Sequence, residues 1–112
     1  MNNIYISVKP LSVNDAWQGK RFKSPKYKQY EKIILALLPN DIYIQSKKKL
    51  SIHIDYFFSN SASDIDNPTK MILDILSKKY NFNDNLVYRL ELQKAVVAKE
   101  KEWFYIQIRY YE

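Results

Sequence analysis

The chain has 112 residues, of which 18 are basic and 12 acidic, for a formal charge of +6; it has no cysteine, one histidine and one glycine. That length fits one domain, 1–112, and 46% hydrophobic residues suit a folded core rather than a disordered chain. The missing cysteines exclude disulfides, thiolate zinc sites and a cysteine nucleophile, and the single Gly19 excludes the glycine-rich loops that close backbone N–H groups on a nucleotide's phosphates.

Residues 4–8 alternate and predict a strand. Pro10 and the polar residues after it break that pattern, and with the run Lys20, Arg21, Phe22, Lys23 they predict a basic loop. Ser24-Pro25 reads as the cap and first position of a helix, because proline lacks the N–H that a helix start leaves unpaired. Tyr27, Tyr30, Ile33, Ile34, Leu37 and Leu38 carry that helix at helical spacing to Pro39-Asn40. Lys47-Lys48-Lys49 lead into a strand in which Leu50, Ile52, Ile54, Tyr56 and Phe58 alternate with Ser51, His53, Asp55 and Phe57. After a polar connection at 59–63, Asn67-Pro68 repeats the cap-then-proline signal, and Met71, Ile72, Leu73, Ile75 and Leu76 predict a second helix ending near Lys78-Lys79. Two strands follow an asparagine-rich turn, 86–98 and 103–111, and the charged turn between them predicts an antiparallel hairpin. The order β-α-β-α-β-β predicts an α+β domain, a mainly antiparallel or mixed four-stranded sheet with two helices packed on it.

An excess of base in a small domain points to a polyanionic partner, nucleic acid above all. With 15 lysines to 3 arginines, the contacts expected are point charges on phosphate rather than forked readout of guanine. Lys20, Arg21, Lys23, Lys26 and Lys28 are the candidates for them, against the alternative of a solvated basic face. No signal peptide is visible and the longest apolar run, 33–38, is short, so a cytoplasmic protein without membrane contact is expected.

Against this basic background, acid is concentrated in one stretch. Leaving out Asp64, Asp66, Asp74 and Asp84 would move the charge from +6 to +10. Asp64 and Asp66 leave the same face of an extended segment, and Lys70 and Asp74 share a face of the second helix. Clustered carboxylates repel one another and a phosphodiester, and a divalent ion such as Mg²⁺ or Mn²⁺, which prefers hard oxygen ligands, relieves both conflicts. The same residues also read as acids stabilising a helix start and an ordinary surface ion pair. A calcium loop fits worse, lacking the central glycine and closing glutamate. His53 and Asp55 share a strand face and read as a structural pair, and the periodic tyrosines Tyr27, Tyr30, Tyr105 and Tyr110 as core edge or interface.

Asp64-Ile65-Asp66-Asn67, then Lys70, Leu73-Asp74-Ile75-Leu76 and Asn83-Asp84 before an alternating strand, resemble the signature of the RusA family of Holliday-junction resolvases. Pro10 to Asn14 with Trp17, and Tyr27 and Tyr30 on the first helix, resemble that family's opening. The resemblance implies a homodimeric, Mg²⁺-dependent endonuclease, with Mn²⁺ a possible substitute, that nicks four-way DNA junctions symmetrically in recombination and repair, typically of phage or prophage origin. It assigns metal binding and catalysis to Asp64, Asp66 and Asp84, an essential catalytic role to Lys70, and secondary positions to Asn67 and Asp74. It implies no nucleotide cofactor. Asn83 departs from the family, which often has two adjacent acids there. The alternative is a non-catalytic DNA-binding or scaffolding protein with a weakened site. Other nuclease classes fit poorly: the chain has too few histidines for one and too few glycines for another, and the acid-x-lysine pattern fails at Lys94, where Leu92 holds the acid's place.

Overall fold

The computed structural model describes residues 2–7, 17–18, 22–23, 25–61, 65 and 68–112. Among them the chain runs β1 (Asn2–Ile6), β2 (Trp17–Gln18), β3 (Phe22–Lys23), α1 (Pro25–Leu37), β4 (Leu50–Phe58), α2 (Thr69–Tyr80), β5 (Val87–Val96) and β6 (Trp103–Tyr110), with a 3-10 turn at Asp84–Leu86 before β5. The α+β class and the β-α-β-α-β-β order of the main sheet and its helices are as the sequence predicts. The small antiparallel pair β2/β3, with Trp17 opposite Lys23, falls where only a loop is predicted.

The main sheet has the order β1-β6-β4-β5. β6 is antiparallel to both of its neighbours, and β5 is parallel to β4. The predicted hairpin of the last two strands does not form, because β4 lies between them. The reason is where apolar side chains gain most. Ile52, Ile54 and Tyr56 of β4 and Phe104, Ile106 and Ile108 of β6 are all 0% exposed, and two such strands belong in the interior. β5 carries Arg89, Glu91, Gln93 and Lys94 and takes the edge, where charge also deters unwanted strand addition. Residues 97–102 cross the Phe58 end of β4, a span of about 10 Å for two strand spacings. That crossing is fixed by Val97 N–H on the Phe58 carbonyl at 2.7 Å and Ser59 N–H on Glu102 Oε2 at 3.2 Å. A parallel pair needs a crossover, which α2 supplies.

Both helices pack on one face of the sheet. Tyr30, Ile34 and Leu38 from α1 and its end, with Ile72, Ile75 and Leu76 from α2, close over Ile4, Ile6, Ile54 and Ile106. Ile33 and Leu37, counted in the predicted stripe of α1, are exposed instead. Lys78 Nζ meets Glu31 Oε1 at 3.0 Å between the helices, and the Tyr80 hydroxyl donates to the Pro39 carbonyl at 2.9 Å. Asn81 ends α2 in the left-handed region that asparagine tolerates, φ 54°. The opposite face of the sheet carries cross-strand rows: Arg89, Ser51 and Arg109; Glu91, His53, Gln107 and Asn3; Gln93, Asp55, Tyr105 and Tyr5; Ala95, Phe57 and Trp103. Among the described residues, no helix is long and apolar enough to cross a membrane.

Candidate active site

The first turn of α2 is tied to the sheet by a buried pair of hydroxyls. Thr69 is 5% exposed, and its hydroxyl donates to the Ile65 carbonyl at 2.7 Å. A threonine hydroxyl has one proton, so in the 2.6 Å contact between Tyr56 Oη and Thr69 Oγ1 the phenol is the donor. Burial pushes the Tyr56 phenol above its ordinary range and keeps that proton in place. A chain of donors thus runs from near the Phe58 end of β4 to the backbone of Ile65, the residue between Asp64 and Asp66 in the sequence. Asp64, Asp66 and Asn67 themselves lie outside the described residues. The Ile72 N–H bonds the Pro68 carbonyl at 3.1 Å, so Pro68 stands at the cap position, one residue before its predicted place inside the helix.

Lys70 is exposed on the same turn, with Nζ 3.7 Å from Asp74 Oδ1, the predicted i,i+4 pair. Asp74 is half-buried toward α1. Burial, with the negative charges of Asp74 and Glu31 added, pushes the Tyr27 phenol up to about 12. At the far end of β5, Lys94 Nζ donates to the Ser61 carbonyl at 2.9 Å, holding the segment that leads toward the acids.

Asp84 stands elsewhere. It opens the 3-10 turn, and three residues later Val87 lies beside Leu50, the first residue of β4. Tyr56, which anchors the start of α2, is six residues and about 20 Å along β4 from Leu50. Within one subunit Asp84 therefore lies beyond the other end of α2 from Lys70, because α2 runs from the Phe58 end of the sheet to the Leu50 end. The Asn83 side chain accepts from the Asn85 N–H at 3.0 Å and caps the turn.

His53 Nε2 lies 2.8 Å from Asp55 Oδ1 and its Nδ1 3.9 Å from Glu91 Oε2, a side-chain bridge on the open sheet face, matching the structural reading of that pair. Among the described residues no three histidine, aspartate or glutamate side chains are grouped to hold a metal. Of the predicted phosphate contacts, Lys20 and Arg21 lie outside the described residues, Lys23 falls in β3, and Lys26 and Lys28 are exposed on the first turn of α1. Tyr27 and Tyr30 are buried, as the core reading expects, while Tyr105 and Tyr110 are half-buried.

A model of the RusA endodeoxyribonuclease family matches residues 9–109. The chain belongs to the RusA family. Comparison with curated proteins found no match. The matched span takes in the whole motif from Asp64 to Asp84 and all of the described sheet except β1 and the last residue of β6. Within this member of the family, sequence reasoning missed Tyr56, Thr69 and Lys94 as supports of the motif. A threonine four residues after Ile65 at a helix start was a readable signal, since such hydroxyls bond the carbonyl four back. The partners supplied by β4 and β5 were not readable without the fold.

Proposed function

We propose that the chain is a Mg²⁺-dependent homodimeric endonuclease that cuts four-way DNA junctions by paired symmetric nicks, in recombination and repair and of phage or prophage origin. The observation that carries this reading is the family match across 9–109, a span that contains Asp64, Asp66, Lys70, Asp74 and Asp84. The donor set is carboxylate oxygen throughout, which suits Mg²⁺ or Mn²⁺. Asp64, Asp66 and Asp84 would hold the ion, which when bound supplies Lewis-acid polarisation of the phosphate and a water of lowered pKa. Lys70 brings a fixed positive charge to the phosphate oxygens as negative charge builds on them, and its weak, exposed pairing with Asp74 leaves it free to turn toward DNA. Tyr56, Thr69 and Lys94 keep the backbone leading to the acids in place.

The length of α2 supports a second copy. With Lys70 in the first turn of α2 and Asp84 beyond its other end, a dimer in which the partner subunit's Asp84 completes the site satisfies both the ligand set and the need for two cuts. Co-expressing the Asp66→Asn and Asp84→Asn proteins with different tags tests this. In a shared site the mixed dimer regains one intact centre and nicks one strand, and failure to regain any nicking contradicts the sharing. The activity itself is tested on a synthetic four-way junction beside a linear duplex, with and without Mg²⁺. Paired nicks in the junction only, and only with metal, are expected. A second reading, a junction-binding protein without cleavage, is favoured by Asn83 alone, and salt-sensitive binding without nicking would select it.

A further inference from the structure

The Leu50 end of the open sheet face carries a cleft lined by two arginines, two glutamates and two tyrosines, with two lysines close by, that the motif does not use. We propose that this cleft is a contact surface for the phosphodiester backbone of a DNA arm, separate from the basic run at 20–28. The proposal rests on the junction-nuclease reading above and names where part of its substrate lies.

A cavity of about 580 Å³ opens there, lined among others by Ser51, His53, Arg89, Gln107, Arg109 and Tyr110. Two of the chain's three arginines face it. Register places Arg89 on one side of Ser51 and Arg109 on the other, so their backbones are about 10 Å apart across β4. Arg89 Nε meets Glu91 Oε1 at 2.8 Å, a contact that uses one of the five N–H donors of a guanidinium. Arg109 is exposed and makes no ion pair among the described residues. Lys48 Nζ sits 5.6 Å from the centre of the Tyr110 ring and Lys49 Nζ 4.6 Å from that of Tyr88, so rings hold both cations along the rim formed by the Leu50 end of the sheet, outside the cavity lining. The Tyr111 N–H on the Lys49 carbonyl, 2.9 Å, ties that rim to the strand end.

Charge is polarised along the face. At this end Lys48, Lys49, Arg89 and Arg109 outnumber Glu91, Glu112 and the nearby Asp84. At the other end Lys99 and Lys101 are balanced by Glu100 and Glu102, beside a ring stack in which Phe57 and Trp103 lie 4.3 Å apart. A polyanion is therefore drawn to the Leu50 end, and the cations there, on a sheet face from which no element among the described residues projects to enter a groove, suit phosphate rather than base edges. The 3-10 turn with Asp84 runs into Val87 beside Leu50, so an arm held here passes the Asp84 carboxylate.

Junction binding, read by fluorescence anisotropy in EDTA over a salt series, tests the assignment without any cleavage. Each lost phosphate contact flattens the slope of log K against log salt by about 0.9. Replacing Lys48→Gln together with Arg109→Gln should flatten it by about 1.8. Lys99→Gln together with Lys101→Gln, which removes equal charge from the other end, should leave it unchanged. Unaltered thermal melts guard against a folding effect at these exposed positions. A wild-type slope in the Lys48/Arg109 variant, or an equal change in both variants, overturns the contact surface while leaving the nuclease reading standing. Absence of junction binding by the wild-type chain overturns both.

Discussion

At the scale of single residues, the backbone beside the candidate site is held by hydroxyls that no catalytic motif names. Thr69 is both donor to Ile65 and acceptor for Tyr56, so Thr69→Val, close to it in shape, leaves a buried phenol and a backbone carbonyl without partners. The expected loss of stability is about 1–3 kcal/mol. Tyr56→Phe removes only the outer donor and leaves the Thr69–Ile65 bond standing, for about 1 kcal/mol. Urea denaturation of the two variants should rank them in that order, with junction cleavage falling further in Thr69→Val than in Tyr56→Phe. Equal, small effects would mean that the pair does not position the acids. The types and spacing of the candidate site residues are legible in the chain because aspartate, lysine and asparagine stand at fixed offsets. Their spatial grouping is not. Spacing alone says that Lys70 and Asp74 share a helix face, but only the direction of α2 across the sheet shows that Asp84 stands beyond its other end.

At the scale of elements, alternation fixes which face of a strand is buried but not which strand is its neighbour. The alternation of β4 was fully legible, and its boundaries coincide with those the pattern predicts. The neighbour of β5 was not, because a charged turn between two strands usually means a hairpin, whereas here the more apolar β4 displaces β5 from β6. The two strands should therefore respond unequally to truncation. Ile106→Ala, at a fully buried interior position of β6, is expected to destabilise by about 2–5 kcal/mol. Leu90→Ala on the edge strand β5, where the side chain is 41% exposed, should fall well below that range. Denaturant midpoints decide the point, and similar losses would contradict the interior and edge assignment.

At the scale of the whole molecule, the +6 charge divides into a basic surface and an acidic motif. The buried phenols add a dependence on alkaline pH. Burial, with Asp74 and Glu31 for Tyr27 and Asp41 for Tyr80, pushes both phenols up to about 12 in the folded protein, against about 10 when unfolded. Their contribution to stability is complete below pH 10 and is lost as pH rises through 12, since the unfolded chain releases those protons first. Thermal midpoints should be level between about pH 8 and 9.5 and fall steeply above 10, and the fall should soften in Tyr27→Phe. A flat profile to pH 12 would show that these tyrosines ionise freely in the native state.

The carboxylates flanking Ile65 are proposed to cut DNA rather than merely to hold the fold, a claim that the Asp66→Asn protein tests on a labelled four-way junction. Binding in EDTA should stay near the wild-type level while Mg²⁺-dependent cleavage disappears. Cleavage at the wild-type rate, or loss of binding and cleavage together with a lowered melting temperature, would contradict the claim.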